Sequence, residues 1–153
     1  HPDYFPLPVA FYQDIVERAR DAGIRDVEFI GQIAGSHAYL SELREAFRDC
    51  HFSQRDALSD FMKLATATYR VISISSFAWL AAWMSPGPSV SIVPRAGLFN
   101  PERRPDIDVL SKLDSSFVQC GFQNDHWSDQ LSLAGYLSLL EYSIPDDPFN
   151  HSL

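Results

Sequence analysis

The segment Ile74-Ser75-Ser76-Phe77 joins a β-rich run, Arg70-Val71-Ile72-Ser73-Ile74, directly to the apolar run Phe77-Ala78-Trp79-Leu80-Ala81-Ala82-Trp83-Met84. A strand that stops at two small hydroxyl residues and turns at once into a helix offers unbonded backbone N–H groups. The positive end of the helix dipole lies at the same point, which makes a receptacle for phosphate. Ser76 either caps that helix and does nothing more, or caps it and binds an anion through the same amides. Asp60, among Leu58, Phe61 and Leu64, is a carboxylate at an apolar boundary, either solvated or an acceptor for the N–H groups of a ligand. Trp79 and Trp83 share a helix face, a spacing that favours core packing over a stacking platform.

Other chemistry has less support. Cys50-His51 and Asp125-His126 lack the paired spacing of a zinc site, so no metal and no cofactor is expected. The G-x-S-x-G, Walker and G-x-G-x-x-G patterns are absent. Cys50 with His37 or His126 would make a thiol–imidazole pair, the basis of a hydrolase reading, but two cysteines and five histidines generate such combinations by chance. Asn150-His151-Ser152 fits a glycosylation sequon, a three-residue pattern of little weight.

The elements that must position these residues follow from periodicity. Phe11, Ile15, Ala19 and Ala22 define a helix over 8–22, stopped by Gly23. Val27-Glu28-Phe29-Ile30 reads as a strand. Ser36 is a candidate N-cap for a helix carrying Leu40, Leu43 and Phe47, and Ser53 for one whose apolar stripe is Leu58, Phe61, Met62 and Ala65. The run 70–74 is apolar enough to be a strand buried on both faces, hence interior and parallel. The helix after it ends at Pro86-Gly87-Pro88, and Val90, Ile92 and Val93 form the next strand. Two strand–helix–strand crossovers predict an α/β fold, a three-layer Rossmann-like parallel sheet with helices on both faces. Residues 97–113 read as a surface excursion, 117–122 as a strand and 128–142 as a helix. One domain over 1–144 and a frayed tail over 145–153 complete the expectation.

With 153 residues, 46% of them hydrophobic, the chain suffices for one domain with a core. Twenty acidic against twelve basic residues give a net charge of −8, which disfavours nucleic acid and anionic membranes. No apolar stretch reaches bilayer length and no signal core is present. Two cysteines in unrelated segments suggest a reducing compartment, so a cytoplasmic location is expected. The sequence opens at His1-Pro2-Asp3 without a methionine, from which a processed chain, or a piece truncated at its N-terminus, is expected.

At Ile74-Ser75-Ser76-Phe77-Ala78-Trp79-Leu80-Ala81-Ala82-Trp83-Met84 the chain resembles the serine-, phenylalanine- and tryptophan-rich motif of the alpha-1,2-fucosyltransferase family and its bacterial envelope-polysaccharide relatives. Ala78 stands where that motif usually has Ser, and Leu80 where it has a second Trp. Phe11-Tyr12-Gln13-Asp14-Ile15 is similar to the family's Tyr-Tyr segment, Ser59–Ala65 to its Asp-containing helix, and Ser91-Ile92-Val93-Pro94 to the following strand. The likeness covers about residues 4–101. It implies the C-terminal, donor-binding lobe of a GT-B glycosyltransferase that holds a guanosine diphosphate sugar, GDP-fucose above all, without a metal. It also implies a glycan acceptor and a missing N-terminal lobe as partners. Asp60 would accept from guanine N1 and N2, while Ser75, Ser76 and the Phe77 amide would hold the β-phosphate. The family's His-x-Arg-Arg-Gly-Asp motif does not occur; its place would be just before His1. An isolated chain of this kind would bind donor weakly or not at all and would not turn over. No general base is motivated, and acceptor and linkage are not encoded in any motif. The rival reading is a non-catalytic α/β interaction or nucleotide-binding module.

Overall fold

A computed structural model describes residues 3–107, 116–123, 125 and 132–149. After a leader that includes Pro6 and Pro8, α1 runs over Val9–Asp21. β1 (Glu28–Ile30), α2 (Ala38–Ala46), β2 (His51–Ser53), α3 (Ala57–Thr66), β3 (Tyr69–Val71), α4 (Ser76–Trp83) and β4 (Val90–Arg95) follow. A short 3-10 turn at Gly97–Phe99, then β5 (Phe117–Gln123), α5 (Leu133–Leu139) and β6 (Glu141–Ser143) complete the described elements.

The fold is α/β, in agreement with the sequence, but the strands form two sheets. β1 and β2 pair in parallel, and β3-β4-β5-β6 form the second sheet. β3, β4 and β5 are parallel, while β6 runs antiparallel to β5, with Phe122 opposite Tyr142. The single all-parallel sheet expected from the crossovers is therefore corrected to a mixed one. Glu141-Tyr142-Ser143 leaves the expected 128–142 helix to extend the edge. Residues 128–131, the start of that expected helix, lie outside the described residues.

α1 serves two clusters because its apolar residues occupy two stripes. Phe11, Ile15 and Ala19 enter the larger core with Ile72, Val90, Ile92, Val93 and Cys120. Val9 and Val16 join Leu43 and Phe47 in the smaller one, against Phe29 and Phe52. Phe11 meets Phe122 and Tyr142 edge-on at centroid distances of 5.1 and 5.5 Å, geometries that aromatic quadrupoles favour.

Several local expectations change. Ser53 closes β2, a strand missed in the sequence, and Asp56 caps α3, accepting from the Ser59 N–H at 3.0 Å and from its hydroxyl. His37, not Ser36, caps α2. β3 is shorter than the run 70–74, and only Arg70, Ile72 and Ile74 of that run are buried. The stretch after β4 is not a surface excursion at its start: Gly97, Leu98 and Phe99 are buried. Residues 108–113 of the expected excursion lie outside the described residues. Beyond residue 145, Pro148 and Phe149 are buried, Phe149 against the Tyr69 ring, and Arg18 donates to the carbonyls of Pro145 and Asp146.

The leader is fastened across the end of β4. The Leu98 N–H donates to the Asp3 carbonyl at 3.0 Å, and Arg104 pairs with the Asp3 carboxylate at 2.9 Å. Gly97 sits at φ +52, and a Cβ there would run into the Asp3 carbonyl oxygen, so glycine is required on two counts.

Candidate functional site

α4 forms because Ser75 supplies an N-cap and the following eight residues contain no Gly or Pro. The Ser75 hydroxyl accepts from the Ala78 N–H at 3.3 Å and its carbonyl from the Trp79 N–H at 3.0 Å. The cap is thus Ser75 rather than Ser76. Ser76 is exposed, and so is Phe77 at 41%. Helix geometry gives their two amides no carbonyl within the helix, so the first turn offers an N–H pair at the positive helix end, where an anion is favoured.

α3 packs along α4. The Phe61 ring meets the Phe77 ring edge-on at 5.5 Å, so the residue following Asp60 touches the residue following Ser76. Asp60 itself is 8% exposed, and its Oδ1 has no hydrogen-bond partner among the described residues. The closest cation is Arg55, with Nη1 3.6 Å from that oxygen. A buried carboxylate oxygen left without a donor is costly, and a ligand N–H would relieve the cost.

Arg55 links Asp60 to a charged group that the sequence spacing did not suggest. Glu28 on β1 accepts from the Ser53 hydroxyl at 2.6 Å and pairs with Arg55 and, at 3.3 Å, with Lys63. The Ser53 bond is the main cause of a Glu28 carboxyl held down at about 2; burial opposes it, and Arg55 and Lys63 add to the lowering. The only signal for this group in the sequence was the density of charge at 55–63, spread over two elements.

A second charged group lies at the carboxyl end of β4. Asp125 accepts from the Gly97 N–H at 2.9 Å and the Asn100 side-chain amide at 3.0 Å, and Arg103 donates to its carbonyl. These bonds are internally satisfied and hold the leader and the 3-10 turn in place.

Of the remaining candidates, Trp79 packs against the larger core as expected. Trp83 stacks on it at 6.2 Å yet is 62% exposed. Cys50 contacts Arg20 and Asp49, and burial, then Asp49, pushes its thiol up, which is opposite to what a nucleophile needs. Burial pushes Cys120 up to about 12. His126 and the 150–152 sequon lie outside the described residues. Among the described residues no group of three or more His, Cys, Asp or Glu could hold a metal ion, and no helix is long and apolar enough to cross a membrane. No protein-family model, curated protein or solved structure matches the chain.

Proposed function

We propose that the chain is most of the donor-binding lobe of a fucosyltransferase-like glycosyltransferase of the GT-B type, binding a guanosine diphosphate sugar at the start of α4. The observation that supports it is the packing of α3 on α4, with the Phe61 and Phe77 rings in edge contact, which sets two groups on adjoining helices. First-turn amides of the exposed residues Ser76 and Phe77 suit a diphosphate, and a buried Asp60 oxygen without a hydrogen bond among the described residues suits the N1 and N2 donors of guanine. In the parent reaction the bond from the sugar's anomeric carbon to the β-phosphate oxygen breaks, and a glycan hydroxyl bonds to that carbon from the opposite face. The helix end stabilises the departing diphosphate, where negative charge develops. The acceptor's proton goes to a base that this chain does not identify, and no metal is required.

Titration calorimetry with GDP, ADP and GMP tests the reading. GDP is expected to bind at least about tenfold more tightly than either competitor. Asp60→Ala removes the preference over ADP while sparing the preference over GMP, since base and β-phosphate contacts are separate terms of about 1–3 kcal/mol each. Measured on the polypeptide extended upstream of His1, equal affinity for GDP and ADP, or no heat with any of them, sinks it.

One observation favours a second reading, a non-catalytic interaction module. Leu58 (70% exposed) and Met62 on α3, Leu80 and Trp83 on α4 and Met84 just past its end place large apolar side chains in solvent, as protein-binding faces do. Nucleotide binding that fails while a partner protein protects these residues from solvent labelling decides for the module.

A further inference from the structure

A buried carboxylate oxygen beside cations normally collects their hydrogens. Asp60 Oδ1 does not. Arg55 Nη1 stops 3.6 Å short of it, close enough for attraction but too far for a hydrogen bond. Lys63 lies three residues further along α3, a spacing that makes the two side chains neighbours on one helix face. Two cations therefore adjoin Asp60, and among the described residues neither bonds to its Oδ1.

Glu28 accounts for both. In the β1–β2 register Glu28 stands opposite His51 and Ile30 opposite Ser53. Residues two apart on a strand share a face, so Glu28 and Ser53 project together toward α3. The Ser53 hydroxyl donates to Glu28 Oε1 at 2.6 Å and accepts from Arg55 Nη1 at 2.8 Å, while Arg55 Nη2 donates to the same Glu28 oxygen. The guanidinium is thereby closed into a ring with a hydroxyl and a carboxylate. Glu28 Oε2 engages the other cation, Lys63 Nζ, at 3.3 Å.

Arg55 has room to turn if that ring is opened. It sits between β2 and α3, outside both elements, with 36% of its side chain exposed. Asp60 would then be its nearest carboxylate, and a guanidinium pairs with a carboxylate through two parallel hydrogen bonds where it can.

We propose that Glu28 is a positioning residue that draws Arg55 and Lys63 away from Asp60 and so leaves Oδ1 open to the N–H donors of a purine. The purine is the guanine of the nucleotide reading, on which the proposal rests for its ligand; the hold on Arg55 belongs to the chain alone. Without the Glu28 charge the cations close on Asp60, and the acceptor that guanine needs is consumed.

Crystal structures of the chain and of Glu28→Gln read the arginine directly. In the variant Arg55 Nη1 is expected at about 3 Å from Asp60 Oδ1. A guanidinium still at 3.6 Å or farther, or one already bonded to Asp60 in the unaltered chain, overturns the proposal. Calorimetry with GDP and ADP, on the same polypeptide as for Asp60→Ala, reads the consequence. Glu28→Gln is expected to reduce the preference for GDP from about tenfold to about twofold or less. Adding Arg55→Ala and Lys63→Ala to Glu28→Gln restores it, because no cation is left to close on Asp60. A Glu28 that merely buttresses β1 gives a triple variant no better than the single one, and that result overturns the proposal, as does an undiminished preference in Glu28→Gln. Absence of any preference for GDP in the unaltered polypeptide removes the nucleotide reading instead, and the hold on Arg55 is then decided by the crystal structures. If Glu28→Gln does not fold, Ser53→Ala opens the same ring at Arg55 Nη1, and the same outcomes apply.

Discussion

Around β4 the interior is closed: Val90, Ile92 and Val93 are at most 1% exposed, and β4 has a strand on each side. Around β1 and β2 every strand residue is half-buried or exposed, and charge pairs from Glu28 to Arg55 and Lys63 tie the strands to α3. One block draws its stability from apolar burial, at about 1.5–3 kcal/mol for each large side chain removed from water. The other leans on α1 and on partly solvated ions, which are worth less and depend on pH. Sheets built by the same strand–helix–strand grammar therefore rest on different physical terms, burial in one and a mixture of packing and ions in the other.

The largest contrast is expected from truncating one residue in each block. Ile92→Ala should cost about 2–5 kcal/mol in a denaturant melt, through lost transfer energy and a cavity, while Phe52→Ala, on a half-exposed strand, costs less than half of that. A Phe52→Ala loss equal to that of Ile92→Ala would break the comparison. Next comes Arg70, which is buried with no carboxylate partner among the described residues; it donates to the carbonyl of Ala67, to that of Ala82 at 3.4 Å and to the Ser85 hydroxyl at 3.0 Å. These lie at the ends of α3 and α4, so Arg70→Ala should lower stability by about 2 kcal/mol by orphaning them. Burial lowers the Arg70 pKa, so burying the guanidinium carries a desolvation cost that its three hydrogen bonds offset. An unchanged melt would contradict that role.

The smallest effect concerns Glu28 and acid. Its carboxyl titrates at about 2 in the fold, below the ordinary 4.5. A depressed carboxyl contributes stability that is complete above the unfolded value and disappears as pH falls from about 4.5 toward 2. Glu28→Gln should therefore be less stable than the parent chain at pH 6 and equal to it near pH 2. A difference that does not change with pH would show that packing, not charge, joins β1 to α3.

The sequence made the strong elements legible and the weak ones not. α1, α4, β4 and β5 emerge within a few residues of their bounds because each is a run rich in apolar residues closed by a recognisable stop or cap, although on α4 Phe77, Leu80 and Trp83 are exposed rather than buried. β2 was hidden because His51-Phe52-Ser53 is three residues of mixed polarity, defined by pairing with β1 rather than by any pattern of its own. The α3 stripe illustrates a different limit. Periodicity reports that Leu58 and Met62 share a face, but not whether anything covers it, and both are exposed. At the candidate site, the strand-to-helix bend could be read in advance because serine caps have a known stereochemistry. The Arg55 bridge between Asp60 and Glu28 could not, because it depends on how β1 and α3 come together across the fold.

Gly97 carries a consequence for how the chain tolerates change. Its hydrogen lies where any other residue would thrust a carbon into the main chain of Asp3, whereas an added carbon at Gly87 meets nothing within 4 Å. Random mutagenesis followed by selection for folded protein should consequently leave one glycine codon untouched and let the other drift. The way the polypeptide crosses the top of β4 would be guarded at the level of the gene by the smallest side chain available.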